Sequence, residues 1–225
     1  MFARIGGTHF PLETLGPGRR LGIWFQGCSL ACGGCMSRHT WDARGGTSQD
    51  VAALLGLWER ALADGAEGLT VSGGEPLQQP DALAELLAGA AAHRDGDAHR
   101  AANDRADLLV YTGYEFGEMT PRQAGALRHA DAVITGRFRV AEPTALVWRG
   151  SANQTLRPLT GRARARYAPH LAREAPAPRL QAVVDSGADG PGMQVYGVPL
   201  RGELRDMERR LKDAGVRLRN PSWRP

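Results

Sequence analysis

The sequence predicts an α/β protein built on a parallel sheet, and two observations lead there. Short apolar runs alternate with stretches of helical periodicity, in the order strand, helix, strand, helix, which is how crossover helices join parallel strands. The runs also end in small or reactive residues: Cys28, Gly73, Thr112 and Gly136. Those are the carboxyl ends of the strands, where ligands collect in such sheets. At 225 residues the chain can bury a substantial core as one domain, or as one domain with a small appendage.

Met1 to Arg20 is punctuated by glycine and proline, with a short strand at Phe2–Ile5 and a turn at Gly16-Pro17-Gly18. Leu21–Phe25 is continuously apolar and reads as a strand buried on both faces. Thr47-x-x-Asp50 reads as a capping box that opens a helix from about Gln49 to Asp64, with Val51, Leu54, Leu55 and Trp58 inward. Leu69–Ser72 is the next strand, and Pro80-Asp81 starts a helix running to about His93. Arg94 to Ala106 is polar and reads as an exposed loop. Asp107–Thr112 is a strand. Tyr114 to Ala130 is mostly helical, with Thr120-Pro121 as a helix start. Asp131–Phe138 is the fourth strand. Arg139 to Ala177 has weak periodicity and reads as an extended loop. Leu180–Val184 and Met193–Val198 are two further strands joined by the glycine-rich Ser186–Gly192. Arg201 to Ala214 is an amphipathic helix, with Leu204, Met207 and Leu211 inward and Gly215 as C-cap.

Every cysteine of the protein lies in Gly27-Cys28-Ser29-Leu30-Ala31-Cys32-Gly33-Gly34-Cys35, directly after the first confident strand. The number is odd and the loops between them are tiny, so they form no disulfide framework. Three thiolates in a glycine-rich loop suit a metal, and three ligands leave a position open for chemistry. Two metals compete on spacing. One is zinc with His39 as the fourth ligand. The other is a 4Fe-4S cluster with Cys28, Cys32 and Cys35 as ligands and one iron left free.

A second motif, Ser72-Gly73-Gly74-Glu75-Pro76, follows the next strand. With C-x3-C-x2-C after one strand and Gly-Gly-Glu-Pro after the next, the chain resembles the radical S-adenosylmethionine (SAM) superfamily. Cys32-Gly33-Gly34-Cys35 followed by Thr40-Trp41-Asp42 resembles the small activases of glycyl-radical enzymes, above all those of anaerobic ribonucleotide reductase. Val110-Tyr111-Thr112-Gly113-Tyr114-Glu115, Gly136-Arg137-Phe138 and Arg149-Gly150-Ser151-Ala152-Asn153-Gln154 resemble the later motifs of that group. The likeness spans roughly Gly16 to Leu159. It departs at Thr135, where the group carries an acidic residue, and at Leu180 to Pro225, which extends beyond the compact activase.

The resemblance implies an open partial (β/α) barrel of radical SAM type, with a C-terminal hairpin-plus-helix appendage. Residues 1–177 are expected to form the core domain and 178–225 an extension packed on it. Cys28, Cys32 and Cys35 would hold the cluster, the SAM amino and carboxylate groups would chelate the free iron, and Gly73, Gly74 and Glu75 would receive the methionyl amino end. Glu75 has a rival role as a carboxylate at a helix start. Reduction of SAM would yield a 5′-deoxyadenosyl radical that abstracts hydrogen from a glycine of a partner enzyme. A flavodoxin or ferredoxin would supply the electron. The alternatives are a radical SAM enzyme acting on a small molecule or peptide, and a Cys3His zinc or iron-sulfur module without catalysis.

The net charge of +4 comes almost wholly from arginine, Lys212 being the sole lysine. The arginines are spread out, densest at Arg162, Arg164 and Arg166 in an expected loop, so nucleic acid is not the expected partner. No apolar run reaches membrane-spanning length, no secretory leader is recognised, and three free thiols fit a reducing cytoplasm. Tyr111 and Tyr114 read as packing aromatics, and His9, His93, His99, His129 and His170 as surface histidines. Asn153 and Gln154 suit either a substrate peptide or a turn.

Overall fold

A computed structural model describes residues 1–225 except 97–105, 176–178, 188–189, 220 and 225. Seven strands form one mixed sheet in the order β3-β1-β2-β4-β5-β6-β7. These are β1 (Phe2–Leu12), β2 (Arg20–Phe25), β3 (Thr47–Asp50), β4 (Gly68–Gly73), β5 (Asp107–Tyr111), β6 (Ala132–Thr135) and β7 (Thr155–Pro158). The central four, β2-β4-β5-β6, are parallel. β1 and β7 flank them antiparallel, and β3 pairs antiparallel on the outer edge of β1. The parallel α/β centre expected from alternation is therefore present, inside a larger mixed sheet.

Each parallel strand is buried on both faces, which is why its run is largely apolar. Leu21, Ile23 and Phe25 share one core with Leu69, Val71, Leu108, Val110 and Val133. Helices α1 (Val51–Ala63), α2 (Pro80–Asp95) and α3 (Pro121–Ala126) complete that layer. Trp58 is its largest fully buried side chain, and its indole N–H donates to Ala90 O at 3.0 Å. On the opposite face Leu109, Ala132, Ile134 and Leu156 pack with Ala163 and Tyr167 of α4 (Gly161–Tyr167). A separate antiparallel pair, β8 (Leu180–Gly187) and β9 (Gly190–Gly197), precedes α5 (Glu203–Asp213).

Four expectations need correction. Thr47–Asp50 is not a capping box but a strand, because its backbone completes the edge of β1. The cap of α1 is Asp50, whose carboxylate accepts from Ala52 N at 3.1 Å. The first strand runs to Leu12, not Ile5, because β2 gives it a partner along its length. Arg94 is not in an exposed loop: it ends α2, buried, and its guanidinium pairs with Asp131. The rest of that expected loop lies largely outside the described residues, as do His99 and part of the Ser186–Gly192 turn. Arg139 to Ala177 is no continuous loop, since it contains β7 and α4. The arginines of α4 accordingly have internal duties. Arg162 donates to Ala106 O at 3.0 Å, and Arg166 pairs with Asp107 at 3.0 Å.

Candidate metal and cofactor site

The carboxyl ends of the parallel strands open into one cavity of about 250 Å³. Cys28, Cys32 and Cys35 line it from the loop after β2. Gly73, Gly74 and Glu75 line it from the loop after β4. Thr112 and Gly136 line it from the ends of β5 and β6. All four segments expected at one mouth are there. His39 is not among the lining residues; it sits on the short 3-10 turn Arg38–Thr40.

The two motifs are locked together by backbone. Gly74 N donates to Phe25 O at 2.7 Å, and Glu75 N donates to Gly27 O at 2.8 Å. A Cβ at position 74 would lie 2.3 Å from Gly27 O and 2.9 Å from Thr40 O, so only glycine lets the turn close on the cysteine strand. The glycines are thus required first by the neighbouring backbone. Gly34, before the third cysteine, has φ +79°, and a Cβ there would press on Val140 at 3.2 Å. The left-handed backbone, more than the contact, disfavours a larger residue there. Ala31, between the first two cysteines, and Trp148, across the cavity, are the non-glycine residues with positive φ among those described. Such strain gathers where a loop is held for function.

All three cysteines are free and half-buried. Burial pushes the Cys28 and Cys35 thiols up, while backbone N–H groups of Leu30 and Ala31 beside Cys28, and of Ser37 beside Cys35, pull the other way. Ser37 N lies 3.4 Å from Cys35 Sγ. N–H donors aimed at sulfur stabilise a thiolate, which is what a metal binds. Among the described residues, no three or more of His, Cys, Asp or Glu are arranged to hold a single ion.

Glu75 is almost fully buried. Its carboxylate accepts from Leu77 N at 2.9 Å, Thr112 Oγ1 at 2.9 Å and Gly113 N at 2.7 Å. It caps the 3-10 turn Pro76–Gln78 and ties that turn to the end of β5. The helix-start role weighed from the sequence is therefore realised by the side chain. Burial pushes this carboxyl up, while those three hydrogen bonds and the charge of Arg137 pull it down. Arg137 itself is bound to Glu118 at 2.6 Å.

Asn153 and Gln154 spend their amides on the loop. Asn153 Nδ2 donates to Arg137 O, and Gln154 Nε2 donates to Gly136 O, both at 2.9 Å. Gly150 N also donates to Gln154 Oε1 at 2.7 Å, so the turn role weighed for them is present, while Gln154 still lines the cavity. Trp148 and Tyr196 also line the cavity and were not singled out from the sequence. Trp148 directly precedes the Arg149–Gln154 motif, but Tyr196 lies in a segment without any motif.

A family model described as a 4Fe-4S single cluster domain matches residues 14–157. The chain belongs to this 4Fe-4S single cluster family. Its relatives include the anaerobic ribonucleoside-triphosphate reductase-activating proteins of Enterobacteria phage T4 and Haemophilus influenzae. The phage protein is 32% identical over 63% of this chain and 85% of its own length. The Haemophilus protein is 32% identical over 66% and 94%. The counterpart in Pasteurella multocida is 33% identical over 66% and 93%. The family relationship bears out the resemblance of the motifs to the activase group. A crystal structure of QueE from Escherichia coli aligns over 63% of this chain and 74% of its own, at 17% identity and a TM-score of 0.40. Among the described residues no helix is long and apolar enough to cross a membrane.

Proposed function

We propose that the protein is a radical SAM activase. In this reading Cys28, Cys32 and Cys35 ligate a 4Fe-4S cluster, and SAM binds beside it. The observation that carries the reading is the convergence of the cysteine loop and the Gly73–Glu75 turn on one cavity, fastened by the Gly74–Phe25 and Glu75–Gly27 bonds. When bound, the cluster and SAM supply one-electron cleavage to a 5′-deoxyadenosyl radical, chemistry that belongs to the cofactors.

The chain's residues bind and orient. The N–H groups of Gly74 and Glu75 are already used, so a methionyl ammonium, itself a donor, would be received by carbonyl oxygens of Gly73-Gly74-Glu75, of which Glu75 O also accepts from Gln78 N. Glu75 acts from behind, holding Thr112 and Gly113 against the same turn. Trp24, Trp148 and Phe138 give the cavity apolar walls that exclude water from a reactive species. The substrate is a glycine of an anaerobic ribonucleoside-triphosphate reductase, the enzyme named in its relatives. The electron comes from a flavodoxin or ferredoxin, in the cytoplasm. Residues 1–177 form the radical SAM core as an open partial barrel, and 178–225 form the extension.

Anaerobically reconstituted protein is expected to carry iron and acid-labile sulfide and to release 5′-deoxyadenosine from SAM with dithionite. With the partner reductase it is expected to give a glycyl doublet in electron paramagnetic resonance. Sulfide-free protein that yields no deoxyadenosine would sink the reading. Deoxyadenosine without a doublet on any reductase would favour the small-molecule or peptide alternative.

A further inference from the structure

One wall of the cavity comes from outside the family match. The match ends at residue 157, yet Val195, Tyr196, Val198, Pro199 and Leu204 line the same space as the cysteines. They belong to β9, the turn after it and α5. Tyr196 stacks on His9 with centroids 4.5 Å apart and planes at 15°, and its ring lies 4.8 Å from that of Trp24. Trp24 also lines the cavity, four residues before Cys28.

The wall is anchored on two sides. On β8, Gln181 Nε2 donates to Pro11 O at 2.7 Å, and Gln181 Oε1 accepts from Glu13 N at 3.0 Å. At the other end, Ser222 Oγ donates to Met36 O at 3.1 Å, next to Cys35. Trp223 Nε1 donates to Glu208 of α5 at 2.5 Å. The segment after residue 178 thus runs from β1 to the cysteine loop, and Tyr196 is the side chain that packs it on Trp24. The segment supplies one wall of the cavity, so its position bears on what enters beside the cysteines.

We propose that Tyr196 is a specificity-determining residue. By packing on His9 and Trp24 it sets β9 as a wall that admits a slim, glycine-bearing peptide segment and rejects one with a side chain at the reacting carbon. This deepens, and rests on, the reading of the site as an activase centre.

Two measurements test it. The first uses cluster-free protein and needs no activity. Acrylamide quenching of tryptophan fluorescence is compared in wild type, Tyr196→Phe and Tyr196→Ala, each with and without Trp24→Phe. Tyr196→Ala is expected to add a readily quenched component that Trp24→Phe removes, while Tyr196→Phe matches wild type and certifies the fold. The second uses cluster-loaded, reduced protein with SAM. Peptide-dependent deoxyadenosine, above that formed from SAM without peptide, is measured with peptides spanning the radical-site glycine of an anaerobic ribonucleoside-triphosphate reductase, carrying either Gly or Ala at that position. One added methyl against a tight apolar wall is expected to favour the glycine peptide by roughly 10–200-fold in wild type. Tyr196→Ala is expected to erase most of that preference. Unchanged quenching in Tyr196→Ala, or an unchanged Gly/Ala ratio, overturns the inference and leaves the activase reading standing. A wild type inert with both peptides sinks the activase reading and the specificity role together. The quenching result then still decides whether Tyr196 is a wall.

Discussion

The two ends of the parallel sheet both bury carboxylates and treat them in opposite ways. At the amino ends of the strands, Asp107 meets Arg20 in a two-pronged ion pair at 2.9 and 3.0 Å, with both side chains fully buried. Arg20 spends its remaining donors on Thr70 Oγ1, Pro17 O and Leu69 O, and Tyr167 donates its hydroxyl to Asp107. At the carboxyl ends, Glu75 has no cation bonded to it among the described residues and is held by neutral N–H and O–H donors. The first end is a saturated network, whose worth depends on every member being matched. The second leaves glycine backbone and three thiols facing a cavity. A fold that must keep reactive groups accessible at one end is closed by matched charges at the other.

The sharpest test of this contrast is at the cysteines. Cys32→Ala is expected to drop iron and sulfide after reconstitution to background. The unfolding free energy of the cluster-free chain should stay within about 0.5 kcal/mol of wild type, because the thiol is half-buried and outside the core. At the other end the pattern reverses. Asp107→Ala strands a buried guanidinium and is expected to cost about 3–5 kcal/mol in urea unfolding, with cluster content per folded molecule unchanged. The double change Arg20→Met with Asp107→Leu removes that ion pair but leaves Arg166 and the Tyr167 hydroxyl without Asp107, and should recover part of that loss. If it does not, the network has a role beyond charge matching.

Glu75→Gln lies between these extremes. It sets an amide N–H against donors that now meet a carboxylate, at a cost of about 1–3 kcal/mol. The sign of its pH dependence follows from its raised pKa. The folded chain holds the Glu75 proton more tightly than the unfolded chain does. The stabilisation is complete below the free-residue value of 4.5 and is lost as pH rises through the raised value. The stability gap between wild type and Glu75→Gln should therefore narrow as pH rises from 4.5, read by urea midpoints across that range. The smallest expected effect is at Thr160, which caps α4 by accepting from Ala163 N at 3.2 Å and donates to Asp131 at 2.8 Å. Thr160→Ala should cost about 1 kcal/mol and leave cluster loading alone.

Legibility followed how local each signal is. The cysteine loop and the Gly73–Glu75 turn were readable because rare residue types stand side by side at strand ends. The apolar strands β2, β4, β5 and β6 were readable because burial on both faces leaves a continuous run. β3 was not, since Thr47–Asp50 is wholly polar and exists only through pairing with β1. α4 was missed because just two of its residues, Ala163 and Tyr167, are buried. The Thr160 cap was the available clue. His9 was misread as a surface residue, because its partner Tyr196 sits at the other end of the chain.

By itself the sequence determined where the chemistry would sit. Neighbours along the chain cannot be parted by folding, so three cysteines within eight residues stay one site in any fold. Only the tertiary structure decided what faces that site and what closes the sheet beneath it. The bonds from Thr112 and Gly113 to Glu75, the Arg20–Asp107 pair and the packing of Tyr196 on Trp24 join residues far apart in the chain. Such contacts depend on strand order and register, which are set by the packing of the whole sheet and leave no local pattern to read.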